Sequence, residues 1–316
     1  MQHRTPRAVH RRGHRSALFV PCRGRSDGAS RGSRLHSLKV VAIVLGMLLA
    51  ATSISGCSRA AGQIHQLNVS GSTTILPIAE ESADAFKLKS PTTRVLVSGL
   101  GSSSGIEAVS AGTAQIGTSS RDLKPEEEGL GLVDIPIAYD GIAVIVNPAN
   151  PVSALTTAQL QGVFSGKITN WSQIGGEDRS IQLVNRDEAS GTREAFQKLV
   201  MKDTKFDPAS TVLPGTGQVR DVVSRAPGAI GYISLGFVKS RFASLPVKTL
   251  TVDGVPPSEK TVADKSYPVG RVLHFFTKGQ PTGLTKQFVD FVLSPAIQKS
   301  VVVDAGFIPI AEGGTR

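Results

Sequence analysis

The sequence predicts an α/β fold with a largely parallel sheet, and three observations lead to that prediction. β-rich runs alternate with helix-like segments from Gln66 to Val302. Turns rich in glycine, serine and threonine join the early strands to the helices that follow them. The chain has 316 residues, of which 40% are hydrophobic, enough for one large domain or two modest ones. Alternating strands and helices are typical of parallel sheets covered by helices.

The first predicted unit shows the pattern. The strand Gln66–Ser70 leads through Gly71–Thr74 into a helix over Ile75–Lys89, whose apolar residues recur at helical spacing. Two similar units follow: the strand Arg94–Val97 with the helix Gly105–Ala111, and the strand Gln115–Gly117 with an acidic helix that Pro125 opens.

The later elements are predicted from apolar runs. Ile135–Asn147, interrupted only at Tyr139–Gly141, is interpreted as a strand that crosses between two lobes, and Tyr267–Thr277 as the return strand. The remaining predictions are the helix Thr156–Phe164, the strand Ile181–Val184, the helix Arg193–Met201, the strand Gly228–Ser234, a linker at Val252–Ser266, and a helix or helix pair at Thr285–Val302.

The net charge of +10 is unevenly distributed. Residues 1–56 hold ten of the 35 Lys and Arg and one of the 25 Asp and Glu, which leaves 25 basic and 24 acidic residues for the body. A nearly neutral body has no broad basic face for a phosphate backbone, so nucleic acid is not an expected partner.

The basic front is interpreted as a targeting segment. Basic residues precede the apolar run Leu38–Ala51, whose length suits the h-region of a signal peptide rather than a membrane span. Ile54–Cys57 then resembles the bacterial lipoprotein box, which implies a leader over 1–56 and a diacylglycerol thioether, with palmitate-type acyl chains, on Cys57. The expected location is the cell envelope, lipid-anchored and facing the periplasm or the exterior. The alternative is an N-terminal anchor that is never cleaved.

Cysteine and histidine usage argues against catalysis. The two cysteines, Cys22 and Cys57, both lie in the front segment, so the body has neither a disulfide nor thiol chemistry. His65 and His274 are the only histidines of the body and are far apart in sequence, which disfavours a histidine metal site or a catalytic triad. We expect no catalytic residue, metal or cofactor.

Four polar loops have the chemistry of an anion site. Each places hydroxyls and free backbone N–H groups after a strand and at a helix start, where helix dipoles favour negative charge. Helix capping alone would also explain each loop taken singly. The loop Arg186–Thr192 is more specific, because the guanidinium fork suits phosphate or sulfate oxygens, although a surface ion pair beside a capped helix remains the alternative there.

The motifs GSTTILPIAE, GLGSSSGIEAVSAGTAQIGTSSRDL, YDGIAVIVNP, NRDEASGTREAF, GAIGYISLGFV and FVDFVLSPAIQK resemble the phosphate-binding proteins of bacterial phosphate ABC importers, in that family's order, from Val69 to Pro309. The resemblance implies a two-lobed periplasmic-binding-protein type II fold with two crossover strands and the ligand in the interlobe cleft. It implies one lobe over 57–141 and 262–316 and a second lobe over 142–261.

The resemblance also implies a set of phosphate-binding residues. In the first lobe they are Ser72, Thr73, Thr74, Ser102, Ser119, Ser120 and Arg121, and Asp140 at the crossover is a further candidate that the family pattern itself does not supply. In the second lobe they are Arg186, Ser190, Gly191 and Thr192, with Glu188 as the acid that orients the binding arginine.

Ser120 departs from part of the family. Some members have an aspartate there, which accepts the proton that phosphate keeps and sulfate lacks. Two roles are open for Asp140 in its place: it could be the replacement acceptor, or it could form a salt bridge that positions Arg121.

The resemblance predicts a monomer that binds inorganic phosphate with high affinity and delivers it to the permease and ATPase of an ABC importer. The alternatives are a binding protein for sulfate or molybdate, a phosphate sensor without transport, and a phosphoester hydrolase with Ser190 as nucleophile. The hydrolase would need a base or a metal that the sequence does not offer.

Overall fold

The structure, a computed structural model, describes residues 64–239 and 246–310. The predicted leader, the lipoprotein box and Cys57 lie outside the described residues. Within those residues, no helix has the length and apolar character needed to cross a membrane.

The strands of the described chain agree with an α/β fold. They are β1 (His65–Gly71), β2 (Thr93–Gly99), β3 (Ile116–Ser119), β4 (Leu132–Val146), β5 (Ala154–Leu155), β6 (Gln182–Arg186), β7 (Thr211–Leu213), β8 (Ala229–Ser234), β9 (Lys248–Thr249), β10 (Thr251–Val252), β11 (Gly270–Lys278) and β12 (Ile308–Pro309). β-branched residues dominate the buried strands, as in Ile142–Val146, because they pack well on a pleated surface.

The helices alternate with these strands. They are α1 (Leu76–Lys89), α2 (Ser102–Ser110), α3 (Thr157–Phe164), α4 (Gly191–Phe196), α5 (Thr216–Arg225), α6 (Gly236–Lys239), α7 (Glu259–Ala263), α8 (Gly283–Leu293) and α9 (Pro295–Ile297). Two short 3₁₀ helices cover Pro125–Leu130 and Trp171–Ile174, and π-helical turns at Gln197–Met201 and Gln298–Val302 extend α4 and α9.

The main sheet has the strand order β2-β1-β3-β11-β4-β8-β6-β7 within the described residues, with β9 and β12 also pairing with β4. β1 is parallel to β2 and β3, and β6 is parallel to β7 and β8. β11 and β4 are antiparallel to their neighbours and lie between these two parallel groups. The carboxyl ends of the parallel strands are where loops of an open α/β sheet bind ligands.

Strand β4 takes part in two hydrophobic cores. The first core contains Ile137 and Ala138 of β4 and is filled by Phe86, Phe275 and Phe288. The second core contains the buried run Ile142–Val146 and a cluster of four aromatic rings, Phe164, Phe196, Phe206 and Tyr232. We call them the first core and the second core. The strand passes from one to the other at Asp140.

Most predicted elements are present, with shifted ends. β4 runs without a break through Tyr139–Gly141, where the sequence suggested an interruption. The predicted linker at Val252–Ser266 contains the short helix α7. β7 and α5 were not predicted, and they contribute Thr216 to the site described below.

Candidate anion-binding site

Two groups of loops meet between the two cores. The first-core loops follow β1, β2 and β3 and comprise 71–74, 99–104 and 119–121. The second-core loops follow β6 and β7 and comprise 187–192 and 214–216. Thr73 Oγ1 lies 3.0 Å from Thr216 Oγ1, and Thr74 Oγ1 lies 3.1 Å from Thr192 Oγ1. Hydroxyls predicted from separate motifs are therefore neighbours in space.

Glycines allow the two groups of loops to approach closely. A Cβ on Gly191 would lie 2.2 Å from Ser102 Oγ. A Cβ on Gly101, whose φ is +100°, would lie 2.6 Å from the carbonyl oxygen of Ala189. Side chains at these positions would clash, so the close contact requires glycine.

Arg186, at the end of β6, is the arginine that the sequence singled out. Its Nε donates to Leu213 O at 3.1 Å and its Nη2 donates to Pro214 O at 2.8 Å. Its Nη1 and Nη2 also donate to the hydroxyls of Thr216 and Thr73, each at 3.2 Å. The fork is therefore fixed against the second-core loops and bonds to a hydroxyl of the first-core loops.

Arg186 is only 2% exposed, and among the described residues no carboxylate bonds to its guanidinium. Burial lowers its pKa from the ordinary value, while the charge of Asp187 opposes that shift. A buried cation held by neutral oxygens favours a nearby anion, because an uncompensated buried charge is costly.

Glu188 was expected to orient Arg186, and the geometry does not agree with that expectation. Glu188 is exposed, and no contact between its carboxylate and Arg186 is found in the described chain. Backbone carbonyls hold the fork because the turn after β7 brings Leu213 and Pro214 beside it.

The Arg121 guanidinium bonds mainly to carboxylates, and Nη2 also donates to Ser103 Oγ at 3.1 Å. Nη1 and Nη2 donate to the two carboxylate oxygens of Glu127 at 2.6 and 2.8 Å, and Nε forms an ion pair with Glu194. Lys124 Nζ lies 2.9 Å from the other oxygen of Glu194. Carboxylates thus occupy the Arg121 guanidinium, and the ion pairs with Glu194 join Arg121 and Lys124 to helix α4. The phosphate contact expected from the turn at Arg121 stays a prediction.

Asp140 pairs with a different arginine from the one expected. Arg271 lies directly opposite Asp140 in the β11–β4 register. Its Nε and Nη2 donate to Asp140 Oδ2 at 2.9 and 2.7 Å, and Ser234 Oγ donates to Oδ1 at 2.8 Å. Burial raises the pKa of Asp140, and the Arg271 guanidinium opposes that rise. The predicted salt bridge to Arg121 is therefore wrong, and donors already take up both oxygens that were expected to accept a phosphate proton.

Several predicted hydroxyls have local roles. Ser72 Oγ accepts from Thr74 N at 3.2 Å, and Ser190 Oγ accepts from Arg193 N at 3.2 Å as the N-cap of α4. Ser119 Oγ donates to Arg121 O at 2.8 Å. Ser102 Oγ, by contrast, lies 3.3 Å from Ser120 Oγ and accepts from Ser120 N at 3.1 Å, in contact distance of Gly191.

Sequence reasoning missed Arg271 and Thr216. Nη1 of Arg271 donates to Ser120 O at 3.1 Å and to Thr192 Oγ1 at 3.0 Å, so it contacts both groups of loops. The sequence signal for Arg271 was a charged residue in the otherwise apolar run of β11. The charged Asp140 in β4 is its counterpart. For Thr216 no comparable motif exists, because β7 is only three residues long.

Comparison with known proteins agrees with this architecture. A family model of the PBP superfamily domain matches residues 57–296. Over 264 residues the chain is 37% identical to the phosphate-binding protein PstS of Bacillus subtilis (strain 168), an alignment that covers 82% of this chain and 85% of the relative. The chain belongs to the PstS family of the PBP superfamily.

Two solved structures similar to this PstS-family chain support the same fold. One is a crystal structure of a candidate phosphate ABC transporter substrate-binding protein from Clostridium perfringens with bound phosphate. It is 39% identical, has a TM-score of 0.74, and the match covers 78% of this chain and 100% of that one. The other is an ABC-type phosphate transport receptor from Vibrio cholerae, which is 32% identical with a TM-score of 0.65, covering 77% and 100%. The type II periplasmic-binding-protein fold predicted from the motifs is confirmed.

Proposed function

We propose that this protein binds inorganic phosphate outside the cytoplasm, with high affinity, and delivers it to the permease and ATPase of an ABC importer. Its relatives, a phosphate-binding PstS, a phosphate ABC transporter substrate-binding protein and an ABC-type phosphate transport receptor, support the substrate and the partner. Sulfate and molybdate are not favoured by any of these relatives.

One observation carries the proposal. Arg186 is buried, bonds to no carboxylate of residues 64–239 and 246–310, and lies among the hydroxyls of Thr73 and Thr216, at the carboxyl ends of parallel strands. A tetrahedral anion there would receive charged and neutral donors from two sides, which offsets the loss of its water.

Capture would follow from the placement of the site between the two cores. We propose lobes over 57–141 with 262–316 and over 142–261, hinged where β4 and β11 cross. Phosphate would meet the loops of one lobe, and closure would bring in the loops of the other lobe. Thr73, Thr74, Ser102, Ser120, Arg186, Gly191 and Thr192 are the proposed contacts, with Ser72, Ser119 and Ser190 shaping the loops that carry them.

We propose binding without chemistry. Ser190, the only nucleophile that the sequence suggested, accepts a hydrogen bond from the N–H of Arg193 as a helix cap. His274, the buried histidine of the described chain, bonds to Asp134 rather than to Ser190. A phosphoester hydrolase would need a base beside its nucleophile.

The front of the chain supports a location in the cell envelope. We propose that 1–56 is a signal segment and that lipid on Cys57 anchors a monomer to the membrane, facing the periplasm or the exterior. The h-region and the lipoprotein box of the sequence support this part of the proposal. Mass spectrometry of the mature N-terminus would test it: a diacylated Cys57 is expected, and a chain that retains residues 1–56 would contradict it.

Calorimetric titration tests the binding function. Protein stripped of bound anion by partial unfolding and refolded is titrated with phosphate, then with sulfate and molybdate. Tight one-to-one binding of phosphate is expected, with much weaker binding of the other two anions. Sulfate or molybdate binding as tightly as phosphate would contradict the proposed substrate. If none of the three anions binds, the proposed binding function is contradicted.

A further inference from the structure

Arg271 and Asp140 form a buried ion pair between the two crossover strands. The Arg271 side chain is 5% exposed and that of Asp140 is fully buried. Nε and Nη2 both donate to Asp140 Oδ2, so one edge of the guanidinium plane is fixed by the carboxylate. Such a pair is rigid because the planar fork is already organised for a carboxylate.

The rest of the guanidinium faces the hydroxyls of the candidate site. Nη1 donates to Thr192 Oγ1 at 3.0 Å, and Nη2 lies 3.4 Å from Thr74 Oγ1. These two threonines belong to the second-core and the first-core loops and are 3.1 Å apart. Arg271 therefore lies where the two groups of loops meet, and Arg186 lies at the neighbouring pair of Thr73 and Thr216.

The two guanidinium groups affect each other. Burial is the main reason that the pKa of Arg186 is lowered, and the positive charge of Arg271 adds to the lowering. Within the described residues, Asp140 is the carboxylate that bonds to this pair of cations. The site therefore has an excess of positive charge that a doubly charged anion balances better than a singly charged one.

The available hydrogen-bond acceptors also favour the doubly charged anion. Asp140 Oδ1 accepts from Ser234, and Oδ2 accepts twice from Arg271, so the carboxylate faces the protein rather than the hydroxyls. Hydroxyl oxygens then remain as acceptors, in the pairs Thr73–Thr216, Thr74–Thr192 and Ser102–Ser120. They can accept the single proton of HPO₄²⁻, which sulfate does not offer, whereas the second proton of H₂PO₄⁻ would meet mainly donors.

We propose that Arg271, held by Asp140, is a specificity-determining residue that makes the site select the dianion of phosphate over the monoanion. This inference rests on the proposed phosphate-binding function. Arg271 supplies a second fixed donor group, and its pairing removes Asp140 as a proton acceptor.

Other charged groups face Arg271 and could contribute to a pH dependence. A groove of about 620 Å³ lined by Arg271 also contains Arg121, Asp122, Lys124, Glu128, Glu194 and Lys198. A second groove of about 610 Å³ contains Tyr139, Lys265 and Tyr267, while Asp187 and Tyr232 lie beside Arg186, and His274 lies three residues along β11. His274 is the only imidazole in this set, so the variant His274→Gln separates its titration from that of phosphate.

The test is calorimetric titration of the full-length protein with inorganic phosphate over a range of pH that spans the second ionisation of phosphate. We expect the affinity of the wild type to fall about tenfold per pH unit below that ionisation. The double variant Asp140→Asn with Arg271→Gln keeps the net charge of the site and leaves no unpaired buried carboxylate, but it replaces the fixed guanidinium donors by amides that can also accept a phosphate proton. It should bind roughly ten- to a hundredfold more weakly at high pH, with a flatter pH profile.

Matched variants control for indirect effects. Glu177→Gln with Arg179→Gln removes an exposed ion pair whose N–O distance is 3.4 Å. This control variant and His274→Gln should both keep the affinity and the steep pH profile of the wild type.

A flat wild-type profile, or a double variant with wild-type affinity and slope, would overturn the inference while leaving phosphate binding intact. If the double variant does not unfold cooperatively, Arg271→Lys takes its place: lysine keeps the charge but cannot reproduce the fork on Asp140 and Thr192, so phosphate binding should weaken, and unchanged affinity and slope would overturn the inference. If the wild type does not bind phosphate at any pH, both the proposed function and this inference are contradicted.

Discussion

Gly191 brings helix α4 against Ser102 because it has no side chain. The position begins α4, directly after the N-cap Ser190, and any Cβ there would lie 2.2 Å from Ser102 Oγ and 2.9 Å from Ser120 Oγ. A substitution would push the second-core loops away from the first-core loops at the proposed anion site. Its effect should therefore appear in binding.

Gly191→Ala should weaken phosphate binding by roughly tenfold or more, because the two groups of loops can no longer approach to hydrogen-bonding distance. Calorimetry with phosphate measures the change. Gly129→Ala is the matched control, since a Cβ on this exposed glycine meets no atom within 4 Å. Equal affinities for the two variants would contradict the assigned role of Gly191.

The hydrogen bonds of Arg186 predict how a lysine at this position would affect phosphate affinity. The Arg186 guanidinium donates four hydrogen bonds, to two carbonyls and two hydroxyls, a geometry that the single ammonium of lysine cannot reproduce. Arg186→Lys keeps the charge and should still lose roughly a hundredfold in phosphate affinity, as measured by calorimetry. Arg179→Lys, at an exposed arginine, is the control. Retention of wild-type affinity by Arg186→Lys would mean that charge alone matters there.

At the scale of elements, helix α4 is tied to the loop after β3. The Glu194 carboxylate forms ion pairs with Arg121 and Lys124, and Lys198 Nζ lies 3.0 Å from Asp122 Oδ2. The Lys198 pair is exposed and screened by solvent, whereas Glu194 is 19% exposed and the stronger contact. These contacts would favour the closed arrangement of the two proposed lobes.

Glu194→Gln should destabilise the closed arrangement by roughly 1–2 kcal/mol, between the values for exposed and buried pairs. We expect severalfold weaker phosphate binding and a larger radius of gyration by small-angle scattering at subsaturating phosphate. Glu128→Gln, at an exposed glutamate of the same groove, should change neither. An unchanged affinity and radius for Glu194→Gln would show that these ion pairs do not contribute to closure.

His274 couples β11 to acidic neighbours and predicts a pH dependence of stability. Nδ1 lies 2.7 Å from Asp134 Oδ1, and Nε2 lies 3.5 Å from Asp122 Oδ1. Burial lowers the pKa of His274, but the two carboxylates outweigh it and raise the pKa above the ordinary value. The hydrogen bond from His274 also holds the pKa of Asp122 below its usual range, despite burial.

The folded state therefore binds the His274 proton more tightly than the unfolded state. Its stabilising contribution should be complete below the ordinary histidine pKa of about 6.5 and lost as the pH rises through the raised value of the folded state. Urea unfolding at a series of pH values measures this loss. His274→Gln should remove it, whereas His65→Gln, at the exposed start of β1, should retain it. An identical pH dependence in wild type and His274→Gln would contradict the assignment.

Much of the element-level organisation could be predicted from the sequence. Glycine–serine–threonine turns after β-rich runs identified the first-core loops, because several such turns follow successive strands and meet at the carboxyl ends of one sheet. β7 and α5 were missed because a strand of three residues carries no periodic signal. Their loop nevertheless supplies Thr216 and the carbonyls that hold Arg186.

At the scale of the whole molecule, local motifs did not specify which charged residues pair with each other. Arg121 and Arg186 are both arginines beside serine-rich turns, yet carboxylates surround one and neutral oxygens surround the other. Asp140 pairs with Arg271 rather than with Arg121 because the antiparallel register of β11 and β4 places Arg271 directly opposite Asp140. Such long-range pairings depend on how strands align across the sheet, which a single sequence does not specify.

At the scale of the whole molecule, phosphate should be held between the two cores by groups from both. A crystal structure of the protein with arsenate, a tetrahedral analogue of phosphate with an anomalous signal, tests this claim most directly. We expect the anomalous peak between Arg186 and Arg271, within hydrogen-bonding distance of the hydroxyls of Thr73, Thr74 and Thr192. A peak in the groove beside Lys124 and Lys198, or elsewhere on the surface, would contradict the account.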